Sequence, residues 1–101
     1  MAQLTDERIS ALEEKGFKRW TKGTIDRLYI NATMLGLECD YYHTGNISGA
    51  WFKGERISNS QGYRYKAAKT YIDIKTGRIH SQYDALADAA AEIAGMEGEE
   101  A

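Results

Sequence analysis

Hydrophobic and polar residues alternate between Asp26 and Lys53, the stretch around which the chain is organised, in three runs: Asp26–Asn31, Leu37–His43 and Ile47–Lys53. The turn-like pieces Ala32–Gly36 and Thr44–Asn46 separate them. A period of two sends successive side chains to opposite faces of a strand. In the first run Leu28 and Ile30 share one face while Arg27, Tyr29 and Asn31 share the other. In the second, Leu37, Cys39, Tyr41 and His43 oppose Glu38, Asp40 and Tyr42. One apolar face and one charged, aromatic face predict an antiparallel sheet covered on a single side, with its second side open to a partner.

Helical spacing brackets this centre. Thr5 is a good N-cap, Leu4 and Ile9 form a hydrophobic staple across it, and Gly16 is placed to end the helix with Phe17 touching Leu12. Phe17–Trp20 reads as a short strand returned by the turn Thr21–Thr24. Ala32–Leu35, stopped by Gly36, predicts one helical turn with Met34 and Leu35 dipping into the core. After a tight turn at Gly54 and a strand at Arg56–Ile57, Ser58 and Gln61 form a capping box for a helix over Asn59–Ala67, weakened by Gly62. Lys69–Lys75 alternates, Thr76-Gly77 turns it and Arg78–His80 returns. Ser81 with Asp84 reads as a second capping box, opening an amphipathic, alanine-rich helix that Gly95 stops. The fold class is therefore α+β: a largely antiparallel sheet of about five to seven short strands, an N-terminal helix and a C-terminal amphipathic helix in one domain, 1–95. The acidic tail Met96–Ala101 has nothing to bury and is expected to be disordered.

The chain has 101 residues, one cysteine and no proline. A single cysteine excludes an internal disulfide and fits a reducing cytoplasm. Asp6 and Glu7 stand where an export signal would be basic and then apolar, and no apolar run approaches the roughly 18 residues of a membrane span.

Net charge is −2, but the charges are segregated. From Lys15 to Ser81 twelve Lys and Arg face five acids, whereas Asp84, Asp88, Glu92 and the tail glutamates carry no base among them. A basic centre with acidic ends can attract partners of either sign, or balance itself across the fold.

Catalytic candidates fail on spacing. Cys39 and His43 share a strand face, yet four residues of strand separate their Cα atoms by about 13 Å, too far for a nucleophile and its base. Cysteine and two histidines at 39, 43 and 80 do not converge as zinc ligands. Glu38 and Asp40 alternate as acids on any wet strand do, and the glycines are spaced as turns rather than as a phosphate loop. No enzyme, cofactor or metal is expected. Trp20, Tyr29, Tyr42, Trp51, Tyr63, Tyr65 and Tyr71, by contrast, are interleaved with Lys18, Arg19, Lys22, Arg27, Lys53, Arg64, Lys66 and Lys69, the chemistry of a single-stranded nucleic-acid platform, whose expected contact residues are Lys18, Arg19, Trp20, Lys22, Arg27 and Tyr29. The competing reading makes those rings core and those cations ordinary surface charge.

The stretches Asp26–Glu38, Gly45-Asn-Ile-Ser-Gly-Ala50 and Ile57-Ser-Asn-Ser60 resemble small proteins encoded by bacteriophages and other bacterial mobile elements. The likeness covers roughly the central half of the chain and carries no functional motif. It implies a non-catalytic protein that docks on a host protein, as anti-CRISPR inhibitors do. The resemblance transfers no site residues; the acidic helix Ser81–Ala94 supplies the expected partner-binding residues Asp84, Asp88 and Glu92, mimicking nucleic acid, with direct nucleic-acid binding by the basic sheet as the alternative.

Overall fold

A computed structural model describes residues 3–95, so the reading of Met96–Ala101 as disordered lies outside the described residues. Helix α1 (Asp6–Glu14) starts where Thr5 Oγ1 accepts the Arg8 N–H at 3.1 Å. It stops at Gly16, whose φ of +114° suits glycine. There the Phe17 N–H donates to Leu12 O and the Gly16 N–H to Glu13 O, both at 3.1 Å, which satisfies two terminal carbonyls and drives Phe17 inward. Ile9, Leu12 and Phe17 are buried.

Strands β1 (Lys18–Lys22) and β2 (Ile25–Ile30) form a hairpin around Gly23-Thr24, with Lys18 opposite Tyr29 and Trp20 opposite Arg27. The other edge of β2 is taken by β6 (Thr70–Asp73), which pairs in turn with β7 (Ile79–Ser81). The result is an antiparallel sheet in the order β1-β2-β6-β7. Leu28, Ile30, Thr70, Ile72 and Ile74 are buried, as the alternation predicts. Helices α1 and α3 (Asp84–Ala94) pack against this sheet, α1 on β2 and α3 on β6 and β7.

The three central runs do not make one sheet. β3 (Leu37–Tyr41), β4 (Ile47–Phe52) and β5 (Glu55–Ile57) form a separate antiparallel sheet, covered by α2 (Asn59–Ala67). The cause lies in the connection after β2. Leu35 N–H bonds Ala32 O at 3.0 Å and Gly36 N–H bonds Thr33 O at 3.2 Å, a helical turn that carries the chain away while β6 occupies the vacant edge. Leu35 dips into the core as expected, but Met34 does not and is 46% exposed. The two sheets still share one core: Leu28, Ile30, Ile72 and Leu86 belong to the same cluster as Leu35 and Leu37, with Cys39, Phe52, Ile57 and Tyr65 packed at its border.

The capping box at Ser81 does not form. Ser81 is the last residue of β7, opposite Thr70, and the hydroxyls of these two residues are 2.9 Å apart. The sheet pairing outcompetes the local cap, and α3 starts after Tyr83 with no side-chain cap. Leu86, Ala89, Ala90, Ala91 and Ala94 are buried, Ile93 partly, and Gly95 closes the helix at φ +74°. The box at Ser58 does form, with Ser58 Oγ accepting the Gln61 N–H at 3.0 Å. Among the described residues no helix is long and apolar enough to cross a membrane.

Candidate functional site

Residues opposite one another in a sheet share a face, so the register assembles a surface that no single strand carries. Lys18, Tyr29, Tyr71 and His80 stand directly across from one another on β1, β2, β6 and β7, on the face away from the core. Trp20, Arg27 and Asp73 make the adjacent row on the first three strands. Lys22 and Ile25 end the face beside the β1–β2 turn, both exposed.

The rings on this face touch in series. Trp20 meets Tyr29 edge-on with centroids 6.2 Å apart, Tyr29 tilts against Tyr71 at 5.1 Å, and Tyr71 stacks on His80 at 5.1 Å with 21° between planes. Together they form a continuous aromatic ladder across all four strands. Arg27 is built into it: its guanidinium lies 4.2 Å from the Tyr71 ring centroid and donates a 2.9 Å hydrogen bond to Tyr29 Oη. That bond raises the Arg27 pKa above its ordinary value, so the cation persists at any working pH. Trp20 keeps 44% of its surface in water. The face therefore sets aromatic rings and cations side by side, with Trp20 more open than Tyr29 or Tyr71, and surfaces of that composition stack unpaired bases and attract phosphates.

Of the six residues expected here, Lys18, Trp20, Lys22, Arg27 and Tyr29 share this face. Arg19 does not. It lies opposite Leu28, on the other side of β1, where its Nε and Nη2 donate to both carboxylate oxygens of Asp26 at 3.0 and 2.8 Å. That fork raises the Arg19 pKa and lowers that of Asp26, and it commits the guanidinium to the sheet's own edge. Tyr71 and His80 are ladder members outside those six; Tyr71 belongs to the wider set of interleaved aromatics, and His80 does not. Tyr71 alternates with Ile72 and was legible as outward-facing, but its place beside Tyr29 depends on the pairing of β6 with β2 across more than 40 residues.

Asp84, Asp88 and Glu92 are exposed along α3. Spaced four apart, they lie on one helix face. The strip is partly answered within the molecule: Lys53 Nζ lies 2.7 Å from Glu92 Oε1, while Arg8 and Lys15 donate to the carbonyls of Ala94 and Ile93 at the helix end. Cys39 is half-buried against the core border, and His43 is exposed in the connection after β3. Among the described residues no three His, Cys, Asp or Glu side chains are grouped to hold a metal ion. No protein-family model, curated protein or solved structure matches the chain.

Proposed function

We propose that this is a non-catalytic protein that binds single-stranded nucleic acid on the open face of its four-stranded sheet. The observation that carries the reading is the ladder Trp20–Tyr29–Tyr71–His80, threaded by Arg27 and edged by Lys18 and Lys22. Core packing does not account for it, because these rings lie on the sheet face opposite Leu28 and Ile72, and among the described residues it is with Leu28 and Ile72 that Leu12 of α1 and Leu86 of α3 cluster. Stacking tolerates any base, so the surface favours strand binding without strong sequence choice.

A second reading, docking on a host protein in the manner of an anti-CRISPR inhibitor, draws on Asp84 and Asp88. They stand one turn apart on α3, exposed and without an ion-pair partner among the described residues. It takes second place because the third acid, Glu92, is paired with Lys53.

A fluorescent single-stranded oligonucleotide titrated at low and raised salt separates the two. The first reading expects binding whose affinity falls steeply with salt and is lost on replacing Arg27 and Lys22. Absence of binding at low salt, together with nuclease-resistant recovery of one protein partner that Asp84→Lys/Asp88→Lys abolishes, would replace it with the second.

A further inference from the structure

Beside the ladder, where β1, β2 and β6 end, the surface sinks into a groove of about 330 Å³ lined by Lys18, Tyr29, Ile30, Asn31, Met34 and Lys69, among others. We infer that this groove receives one unstacked nucleobase of the strand that lies on the ladder, with the adjoining phosphate held between Lys18 and Lys69. The inference rests on the nucleic-acid reading and extends it to a defined subsite.

Three features point to that occupant. The first is continuity. Tyr29 is both a rung of the ladder and a wall of the groove, so a strand stacked on the ladder reaches the groove without a break. The second is charge. Lys18 faces Tyr29 from β1, while Lys69 immediately precedes β6 on the other side of β2; the two lysines thus line the groove from either side of β2, together with the apolar Ile30 and Met34. An apolar slot between two cations suits a flat base attached to an anion better than it suits either a hydrocarbon or a free anion.

The third is the way the loop is set. Asn31 Oδ1 accepts the Met34 N–H at 3.0 Å, which fixes the start of the Ala32–Gly36 turn and leaves the Asn31 side-chain NH₂ as a donor for a base edge. The same turn holds Met34 out in solvent above Gly16. A Cβ placed on Gly16 would lie 2.1 Å from the Met34 ε-carbon, so the thioether packs directly on glycine backbone, and both residues line the slot. A soft, polarizable side chain kept 46% exposed while Leu35 beside it is buried is suited to packing on a ring face.

The test uses a short single-stranded oligonucleotide carrying one 5-iodouridine, bound to the full chain, photo-crosslinked and mapped by mass spectrometry. Affinity is measured in parallel for the wild type, Met34→Glu and Lys69→Glu. Both substituted side chains are exposed, and an unchanged thermal midpoint verifies that each variant folds. The expected result is a crosslink on the peptide containing Met34 and a loss of about tenfold in affinity for each variant, the weight of one stacked base or one close phosphate contact.

Binding that is undiminished in both variants, with crosslinks confined to Trp20, Tyr71 or His80, would overturn the groove and leave the ladder standing. Uridine monophosphate saturating the groove as tightly as the oligonucleotide would overturn its assignment to the same strand and mark a free-nucleotide site. No oligonucleotide binding by the wild type would remove the ladder reading itself, and the groove with it.

Discussion

A Cβ built on Gly62 would lie 2.7 Å from the Cβ of Ala50, so α2 rests on β4 at a separation that only a glycine permits. In the sequence Gly62 is a flaw inside a helix, costing about 1 kcal/mol against alanine. In the fold it is the contact that lets α2 cover the smaller sheet. Gly62→Ala should therefore destabilise the protein by about 1–2 kcal/mol, overpacking outweighing the gain in helix propensity. Urea denaturation measures it, and the double variant Gly62→Ala/Ala50→Gly should recover part of the loss. A more stable Gly62→Ala protein would show that the two elements are free to separate.

Leu86 is fully buried on α3, whereas Ile93 is only packed at the border of the core. Leu86→Ala should cost about 2–5 kcal/mol, and Ile93→Ala distinctly less, because its site already meets water. Equal losses from the two variants would contradict the docking of α3 described above.

Asp26 accepts the bidentate bond from Arg19, which lowers its pKa below the usual carboxylate value. A depressed folded-state pKa adds stability above the unfolded value and forfeits it as pH falls through the folded one. Wild type should thus be more stable than Asp26→Asn at neutral pH, with the gap closing as pH drops below about 4. The effect should be small, since the pair lies at the surface and salt screens it. A gap that persists unchanged at pH 2 would assign the difference to something other than this ionisation.

The two faces of β1 give a matched control for the nucleic-acid reading. Trp20→Ala should weaken oligonucleotide binding by about tenfold through the loss of one stacking surface. Arg27→Ala should weaken it and also flatten the salt dependence by about one unit of slope. Arg19→Ala removes the same charge as Arg27→Ala from the other side of the sheet and should leave the affinity nearly unchanged. If Arg19→Ala and Arg27→Ala were equivalent in a salt titration, binding would reflect net charge alone and the ladder would have no role.

Local chemistry was readable without coordinates wherever neighbours in sequence settle the outcome. The Thr5 and Ser58 caps, the stop at Gly16, the hairpin turns and the inward set Leu28, Ile30, Ile72 and Ile74 follow from capping geometry, from glycine's access to positive φ and from the period of two. Alternation likewise set Arg27 and Tyr29 on one face, whereas Lys22 read as part of a turn and joins Lys18 and Trp20 on that face through the register of β1 with β2. Arg19 had the right chemistry and the wrong parity.

What only the tertiary structure decided is which strands meet. Alternation defines faces but carries no information about partners, so three consecutive strands read as one sheet until β6 is seen to occupy the edge of β2. That single non-local pairing splits the sheet in two and brings Tyr71 beside Tyr29, while the pairing of β7 with β6 sets His80 against Tyr71 and holds Ser81 in a strand where its local signal asked for a cap. A hydrogen-bonded ladder with a buried face beneath it is worth more than one capping hydroxyl, and the sum of such distant contacts, absent from any local window, fixed the topology.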